Sequence, residues 1–284
     1  MYYNYAQDIK SIRELLSLSQ TDFAKEIDVQ QVTISRSETG KTQPSAELLE
    51  KVYAYAFSKN IRLNRLKEML HRESLQPGRT FLFHAAKGEI SGEIEAKRSR
   101  TNNDMGQGFY TGENYDQAVS FVSGFGGASI YMLDFDPAGL KCKEYSVDRD
   151  WMLTIAFFRG TLERYEGHEL IKKLVREAQD CDYIIAPIAD NRMFQIINSF
   201  ITGEITDEQC KHCLAATNLG RQFVFKTERA AQKLRILERC YIPANESEYY
   251  ATVRSEEAKL GEDKVRLARI NYRGQGKYVD EILA

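Results

Sequence analysis

Little in this chain of 284 residues is reserved for covalent or metal staples. Its five cysteines, Cys142, Cys181, Cys210, Cys213 and Cys240, form an odd set that does not read as a disulfide framework. Cys210-Lys-His-Cys213 has metal-ligand spacing, but no second pair closes a four-ligand site, so no metal is expected. No apolar run approaches the about twenty residues of a membrane span, and the N-terminus MYYNYAQDIKS has no basic leader before an apolar stretch. A cytoplasmic protein with no membrane partner is the expectation. An excess of one charge is missing too: 39 basic and 41 acidic residues leave a net charge of -2. Binding of nucleic acid by bulk electrostatics is thereby excluded, and any such contact must come from a local patch. No GxGxxG or GxxxxGK[ST] follows the first strand-like run of the body, which argues against a doubly wound nucleotide fold.

What is present begins with an apolar fraction of 43%, enough for one good core and a small second one. Residues 8–18 carry Ile9, Ile12, Leu15 and Leu16 at helical spacing. Ser19 or Thr21 caps a short second helix over 20–27, with Phe23, Ala24 and Ile27 inward. A tight turn leads to a third helix over 31–38, ended by Gly40. Pro44 restarts the chain into a fourth helix over 45–57, and Leu63, Leu66 and Leu70 mark a fifth over 61–70. Pro77 and Gly78 punctuate the chain before its composition turns sheet-like. The organisation that follows is a helical domain over 1–72, a body over 79–243 and a charged helical arm over 244–284.

Short helices joined by tight turns form the helix-turn-helix pattern, whose later helix enters the major groove. The run SQTDFAKEIDVQQVTISRSETGKTQPS resembles the DNA-binding core of the phage-repressor and Xre class. The resemblance implies that residues around the start of the third helix touch bases: Gln30, Gln31, Thr33 and Arg36, with Lys41 nearer phosphates. Residues 1–71 hold ten basic and nine acidic side chains, so non-specific attraction to DNA should be modest. The same unit serving as a docking or dimerisation module, and a homodimer, stay open.

In the body, strand-like runs at 80–84, 129–134, 183–188, 222–225 and 235–242 alternate irregularly with helical patterns at 114–122, 150–158, 168–178, 193–202, 207–216 and 228–234. Its centre is NNDMGQGFYTG over 102–112, read with RTFLFH over 79–84. Glycine permits close approach to the backbone, so Gly106-x-Gly108 marks a place where chain or ligand comes near. His84, then Gly106-x-Gly108-Phe109-Tyr110-Thr111 opening onto a helix, then Gln222 at the start of a late strand, resembles the ADP-ribosyltransferase superfamily. More closely, RTFLFH, DMGQGFYTGENYDQAVSF, DYIIAPIADNRMF, ITGEITDEQC and RQFVFKTERAAQKL resemble an uncharacterised, DUF3990-like bacterial domain family assigned to that superfamily.

That resemblance implies an α+β domain of two small, packed, mostly antiparallel sheets with NAD, as substrate, in the cleft. It implies that His84 holds the nicotinamide-side ribose and Tyr110 stacks on nicotinamide. Gly108 and Thr111 would line the site, Phe121 would supply a second aromatic wall, and Arg79 would meet the pyrophosphate, with Lys97, Arg98 and Arg100 as other candidates. Gln222 stands where many transferases carry glutamate. An amide orients a hydroxyl but accepts no proton as a general base, leaving Asp104 or Asp190 as candidate activators. The reading is an NAD-dependent ADP-ribosyltransferase, a bacterial toxin or defence effector, acting on a nucleic-acid or protein acceptor. The alternative is a transcription regulator whose body binds NAD or a related nucleotide without catalysis.

Overall fold

The computed structural model describes residues 4–217 and 220–284. In chain order the elements are α1 (Tyr5–Leu15), α2 (Gln20–Glu26), α3 (Gln31–Glu38), α4 (Ala46–Ser58), α5 (Leu63–Glu73), β1 (Thr80–Ala86), β2 (Phe109–Gly112), α6 (Tyr115–Val122), β3 (Ser129–Phe135) and β4 (Cys142–Glu144). Next come α7 (Arg149–Phe158), α8 (Glu169–Gln179), β5 (Tyr183–Pro187), α9 (Asn191–Ile201), α10 (Asp207–Ala215), β6 (Arg221–Phe225), α11 (Glu228–Ala231), β7 (Leu234–Tyr241), α12 (Ala244–Asn271) and α13 (Val279–Ile282). An all-α head followed by a mixed α/β body is what the sequence pattern leads one to expect. By contact density the chain divides into two compact units, each assembled from separated segments.

The first unit comprises Met1–Ser91, Tyr115–Phe135 and Arg235–Val253. Its helical head buries Ile9, Ile12, Phe23, Ile34, Leu48 and Val52 in one cluster. Serine side chains fix two of the helix starts: Ser19 accepts from the Asp22 N–H and Ser45 from the Leu48 N–H, each at 3.1 Å. In the same unit β1 runs antiparallel to β3, with His84 opposite Tyr131. The strand residues Phe81, Phe83, Ile130 and Met132 pack against Tyr115, Val119 and Val122 of α6. Head and strands are tied by polar contacts. The Asn64 amide donates to the Tyr241 carbonyl and to the Tyr115 hydroxyl, both at 2.9 Å. Lys67 of α5 reaches Asp8 of α1 at 2.5 Å and Glu238 of β7 at 2.6 Å.

The second unit comprises Gly92–Asn114, Asp136–Leu234 and Arg254–Ala284. Its strands are ordered β4-β5-β6-β2; β4 and β5 are parallel, and the other two pairings are antiparallel. The core gathers Trp151, Met152 and Ile155 of α7, Ile196, Ile197 and Phe200 of α9, and Ile184 and Val224 from the strands. Two strands differ from the sequence expectation. β2 spans four residues between glycine-rich flanks, and β4 is a three-residue edge, Cys-Lys-Glu, too polar and short to leave a pattern.

The C-terminal segment is an integral part of the structure, in contrast to the charged peripheral arm that its composition suggests. Val279 and Leu283 are buried in the second unit's core, and the Asp207 N–H donates to the Lys277 carbonyl at 3.0 Å. The first turns of α12 belong to the first unit, where the buried Glu246 carboxylate accepts from the Tyr115 hydroxyl at 2.9 Å. Burial pushes the Glu246 carboxyl up to about 7, with Tyr115 and Arg62 offsetting part of the shift and Asp116 adding to it. A raised folded-state value means the folded chain keeps a proton that the unfolded chain has lost, between about pH 4.5 and 7. Stability should therefore fall as pH rises through that window, by about 3 kcal/mol if the whole shift counts. Glu246→Gln should abolish this slope and melt above the parent at pH 8, which paired denaturation curves at pH 5 and pH 8 would measure.

Candidate functional site

In the head, α3 presents Gln31 and Arg36 to solvent, Gln30 is the exposed residue before the helix, and Thr33 is half-buried. Lys41 is exposed in the following turn. α3 is held by side chains of the neighbouring helices: Arg13 pairs with Glu38 at 2.6 Å, Gln20 donates to Glu38 at 2.8 Å, and Gln31 donates to Gln20 at 2.8 Å. Ile34 and Ser37 face the core. This leaves Gln30, Gln31 and Arg36 outside the core and exposed to solvent.

In the second unit, β2 and β6 carry the motif residues. Their antiparallel register sets Tyr110 opposite Val224, Thr111 opposite Phe223, and Gly112 opposite Gln222. Cross-strand partners point to one face, and so do residues two apart. Tyr110 and Gln222 therefore share a face, and Gly112 leaves the position beside Gln222 without a side chain. The loop before β2 folds back on this face. The Tyr110 hydroxyl donates to the Gly106 carbonyl at 2.7 Å and accepts from the Met105 N–H at 3.1 Å. Burial raises its pKa, with the Met105 N–H offsetting part of the shift.

Asp104 anchors the loop from below. Its buried carboxylate accepts from Arg159 Nε at 2.7 Å and from the Ala189 N–H at 3.3 Å. Burial raises the Asp104 pKa, and Arg159 offsets part of that shift. The same guanidinium donates to the Ala189 carbonyl at 2.9 Å and to Asn191 at 3.3 Å, so one arginine at the end of α7 fixes both the motif loop and the start of α9. Lys226, at the end of β6, donates to the Met105 carbonyl and lies 5.3 Å from the Phe158 ring centroid. Burial lowers its pKa to about 8. Neither Arg159 nor Lys226 stands out in the sequence, because each simply closes an apolar run, Ala-Phe-Phe-Arg and Phe-Val-Phe-Lys.

The basic run Lys97–Arg100 is strapped along the same loop. Gln107 donates to the Lys97 and Ser99 carbonyls at 2.7 and 3.0 Å, and the Gly108 N–H donates to the Ser99 hydroxyl at 3.0 Å. Close approach at Gly108 is met by the chain itself, since a Cβ there would lie 2.7 Å from a Val224 methyl and 2.9 Å from the Phe225 carbonyl oxygen. Thr111, on the other face, bonds the Phe223 carbonyl at 3.3 Å. Asp190 caps α9, its Oδ1 accepting from the Arg192 and Met193 N–H groups at 3.0 Å, while its Oδ2 lies 3.9 Å from the Arg254 guanidinium.

The structure brings Tyr110, Thr111 and Gln222 together on one ladder, with Gly108 just before β2. His84, Arg79 and Phe121 belong to the first unit. There His84 lies 6.4 Å, ring to ring, from Tyr131 on β3. Arg79 is ion-paired with the buried Asp134, which also takes Arg235 at 2.8 Å, so the Arg79 charge is largely committed. Phe121 is exposed on α6. Among the described residues, no cluster of three or more His, Cys, Asp or Glu side chains is arranged to hold a metal ion. Among the same residues, no helix is long and apolar enough to cross a membrane.

Residues 9–52 match the helix-turn-helix family HTH_3, and residues 80–236 match DUF3990, a family of proteins of unknown function. No curated protein and no solved structure matches the chain. The second match takes in more than half of the sequence and spans every residue of the β2–β6 site, so the chain belongs to the DUF3990 family and carries a helix-turn-helix head.

Proposed function

We propose that the chain is an NAD-dependent ADP-ribosyltransferase whose head binds DNA. The observation that carries this reading is the shared face of Tyr110 and Gln222 across the β2–β6 ladder, with Gly112, which has no side chain, opposite the amide. A stacking ring and a hydroxyl-orienting group on one face suit a nicotinamide riboside, because the ring must be pinned while the ribose is anchored. In the transfer, the bond from ribose C1′ to nicotinamide nitrogen breaks with its electron pair leaving on nicotinamide. The acceptor then forms the new bond to C1′ and loses a proton. His84 would hold the ribose, and Phe121 would flank the ring. Binding of the pyrophosphate falls to Lys97, Arg98 and Arg100, which lie along the motif loop, in preference to Arg79, whose cation faces Asp134. The acceptor is a nucleic acid or a protein, as for a toxin or defence effector.

Purified full-length chain should release nicotinamide from NAD, alone or with DNA, RNA or lysate present. His84→Ala and Tyr110→Ala should each lower the rate at least about a hundredfold while the chain stays folded. Equal turnover in both variants would remove the site, and no release under any condition would remove the activity. The second reading, a regulator that binds a nucleotide without turnover, is favoured by one feature: Gln222 supplies no general base, and its amide already donates to the Pro187 carbonyl at 3.0 Å. It predicts NAD binding with no nicotinamide release. For the head, Arg36→Ala should weaken binding to the preferred DNA site about tenfold or more and relax its sequence preference. Lys41→Ala should weaken all sequences alike.

A further inference from the structure

We propose that Val32 is a specificity-determining residue of the head, its side chain packing against the 5-methyl group of a thymine in the major groove of duplex DNA. The proposal rests on the reading of the head as a DNA-binding module and goes beyond it in naming the base. Val32 lies in the first turn of α3, within the stretch that matches the helix-turn-helix family, and is 42% exposed. A lone exposed aliphatic residue is ordinary on a protein surface. This one, however, takes no part in the buried cluster of the head. A β-branched side chain lowers helix propensity, and exposure returns no burial to offset that cost, so the fold gives no reason for valine here.

The neighbours of Val32 narrow what it can meet. Arg36, four residues on, is exposed on the same side of the helix, and Lys41 is exposed in the turn that follows. The Gln31 amide is drawn toward α2, donating to Gln20 at 2.8 Å, and Gln20 in turn donates to Glu38 at 2.8 Å. The valine thus stands in solvent beside a cation that favours a polyanion. Valine has neither donor nor acceptor, and among the base edges of the major groove the thymine methyl is the apolar feature. Against the amino group of cytosine or the polar edge of a purine, it would displace water without replacing the lost hydrogen bonds. Its stiff χ1 also means that little side-chain freedom is lost when the contact forms.

The test begins with selection of a preferred site from a randomised duplex library by the full-length chain. Each thymine of that site is then replaced singly by deoxyuridine, which removes the methyl group and nothing else. At one thymine the parent should bind the uracil duplex about fourfold more weakly, the worth of one buried methyl. Val32→Ala should weaken the thymine duplex by a similar factor and bind the two duplexes alike, while melting near the parent. Its salt dependence of binding should match the parent's, because no phosphate contact is lost, whereas Lys41→Ala should lower it. Val32→Gln should select a different base at that position, since an amide can pair with adenine N6 and N7. The assignment would be overturned, with the head still a DNA binder, if Val32→Ala kept the parent's preference for thymine over uracil. Equal binding of every uracil duplex by the parent, or an unchanged selection by Val32→Gln, would overturn it too. Enrichment of no sequence from the library would remove the DNA reading of the head and this assignment with it.

Discussion

Replacing Lys67 with methionine should lower the unfolding free energy by about 3–5 kcal/mol, the usual cost of removing one partner from a buried ionic cluster. The Lys67 ammonium sits between Asp8 at 2.5 Å and Glu238 at 2.6 Å, with all three side chains at most 11% exposed. Tyr53 donates to Asp8, and His71 lies 3.2 Å from Glu238. Burial raises the Asp8 pKa against the pull of Lys67 and Tyr53. At Glu238 burial also acts upward, but His71 and Lys67 outweigh it and the net shift is downward. Without the ammonium, two carboxylates face each other with too few donors, so the folded chain should take up a proton at neutral pH. The loss should then shrink as pH falls, since protonation removes the repulsion. Asp8→Asn/Lys67→Met/Glu238→Gln, which removes charge without leaving an orphan, should recover most of the stability. Denaturant unfolding of the two variants at pH 5 and pH 8 would read this. A Lys67→Met protein as stable as the parent at pH 8 would show that the cluster carries no net weight.

This cluster also shows what sequence reading could and could not reach. The start of α2 was legible because caps are local: Ser19 sits three residues from the N–H it accepts. Helical spacing likewise revealed the buried face of Ile9, Ile12 and Phe23. The ionic ties were not legible, since Lys67 is 59 residues from Asp8 and 171 from Glu238, and nothing local distinguishes it from a solvated helix lysine. The candidate site divides in the same way. Tyr110 and Gln222 stood out through ordered motif blocks, whereas Arg159, 55 residues from Asp104, is fixed by the fold alone. β4 stayed hidden because an edge strand of three polar residues has no periodicity. The tail's charge suggested a peripheral arm, but the two apolar residues that matter, Val279 and Leu283, are enough to seat its end in a core.

Gly108→Ala should destabilise the chain by about 1–3 kcal/mol and disturb the candidate site more than its size suggests. The new methyl would lie 2.7 Å from the Val224 side chain and 2.9 Å from the Phe225 carbonyl oxygen. The second of these is backbone, so relief requires β2 to move away from β6. That movement would weaken the Tyr110–Val224 and Gly112–Gln222 pairings that put ring and amide on one face, and it would pull the Gly108 N–H from the Ser99 hydroxyl. Gly106→Ala makes an informative comparison. Gly106 has a φ of +73°, and its Cβ would lie 2.8 Å from the Phe158 ring, so strain and a clash both oppose it. Its contact is with a side chain on α7, however, and the ladder can stay in register. Gly108→Ala should therefore lose NAD binding or turnover out of proportion to its drop in melting temperature, while Gly106→Ala should lose the two together. Binding titrations and melting curves on the same preparations would separate them. Parallel losses in both variants would mean that the β2–β6 register does not set the site.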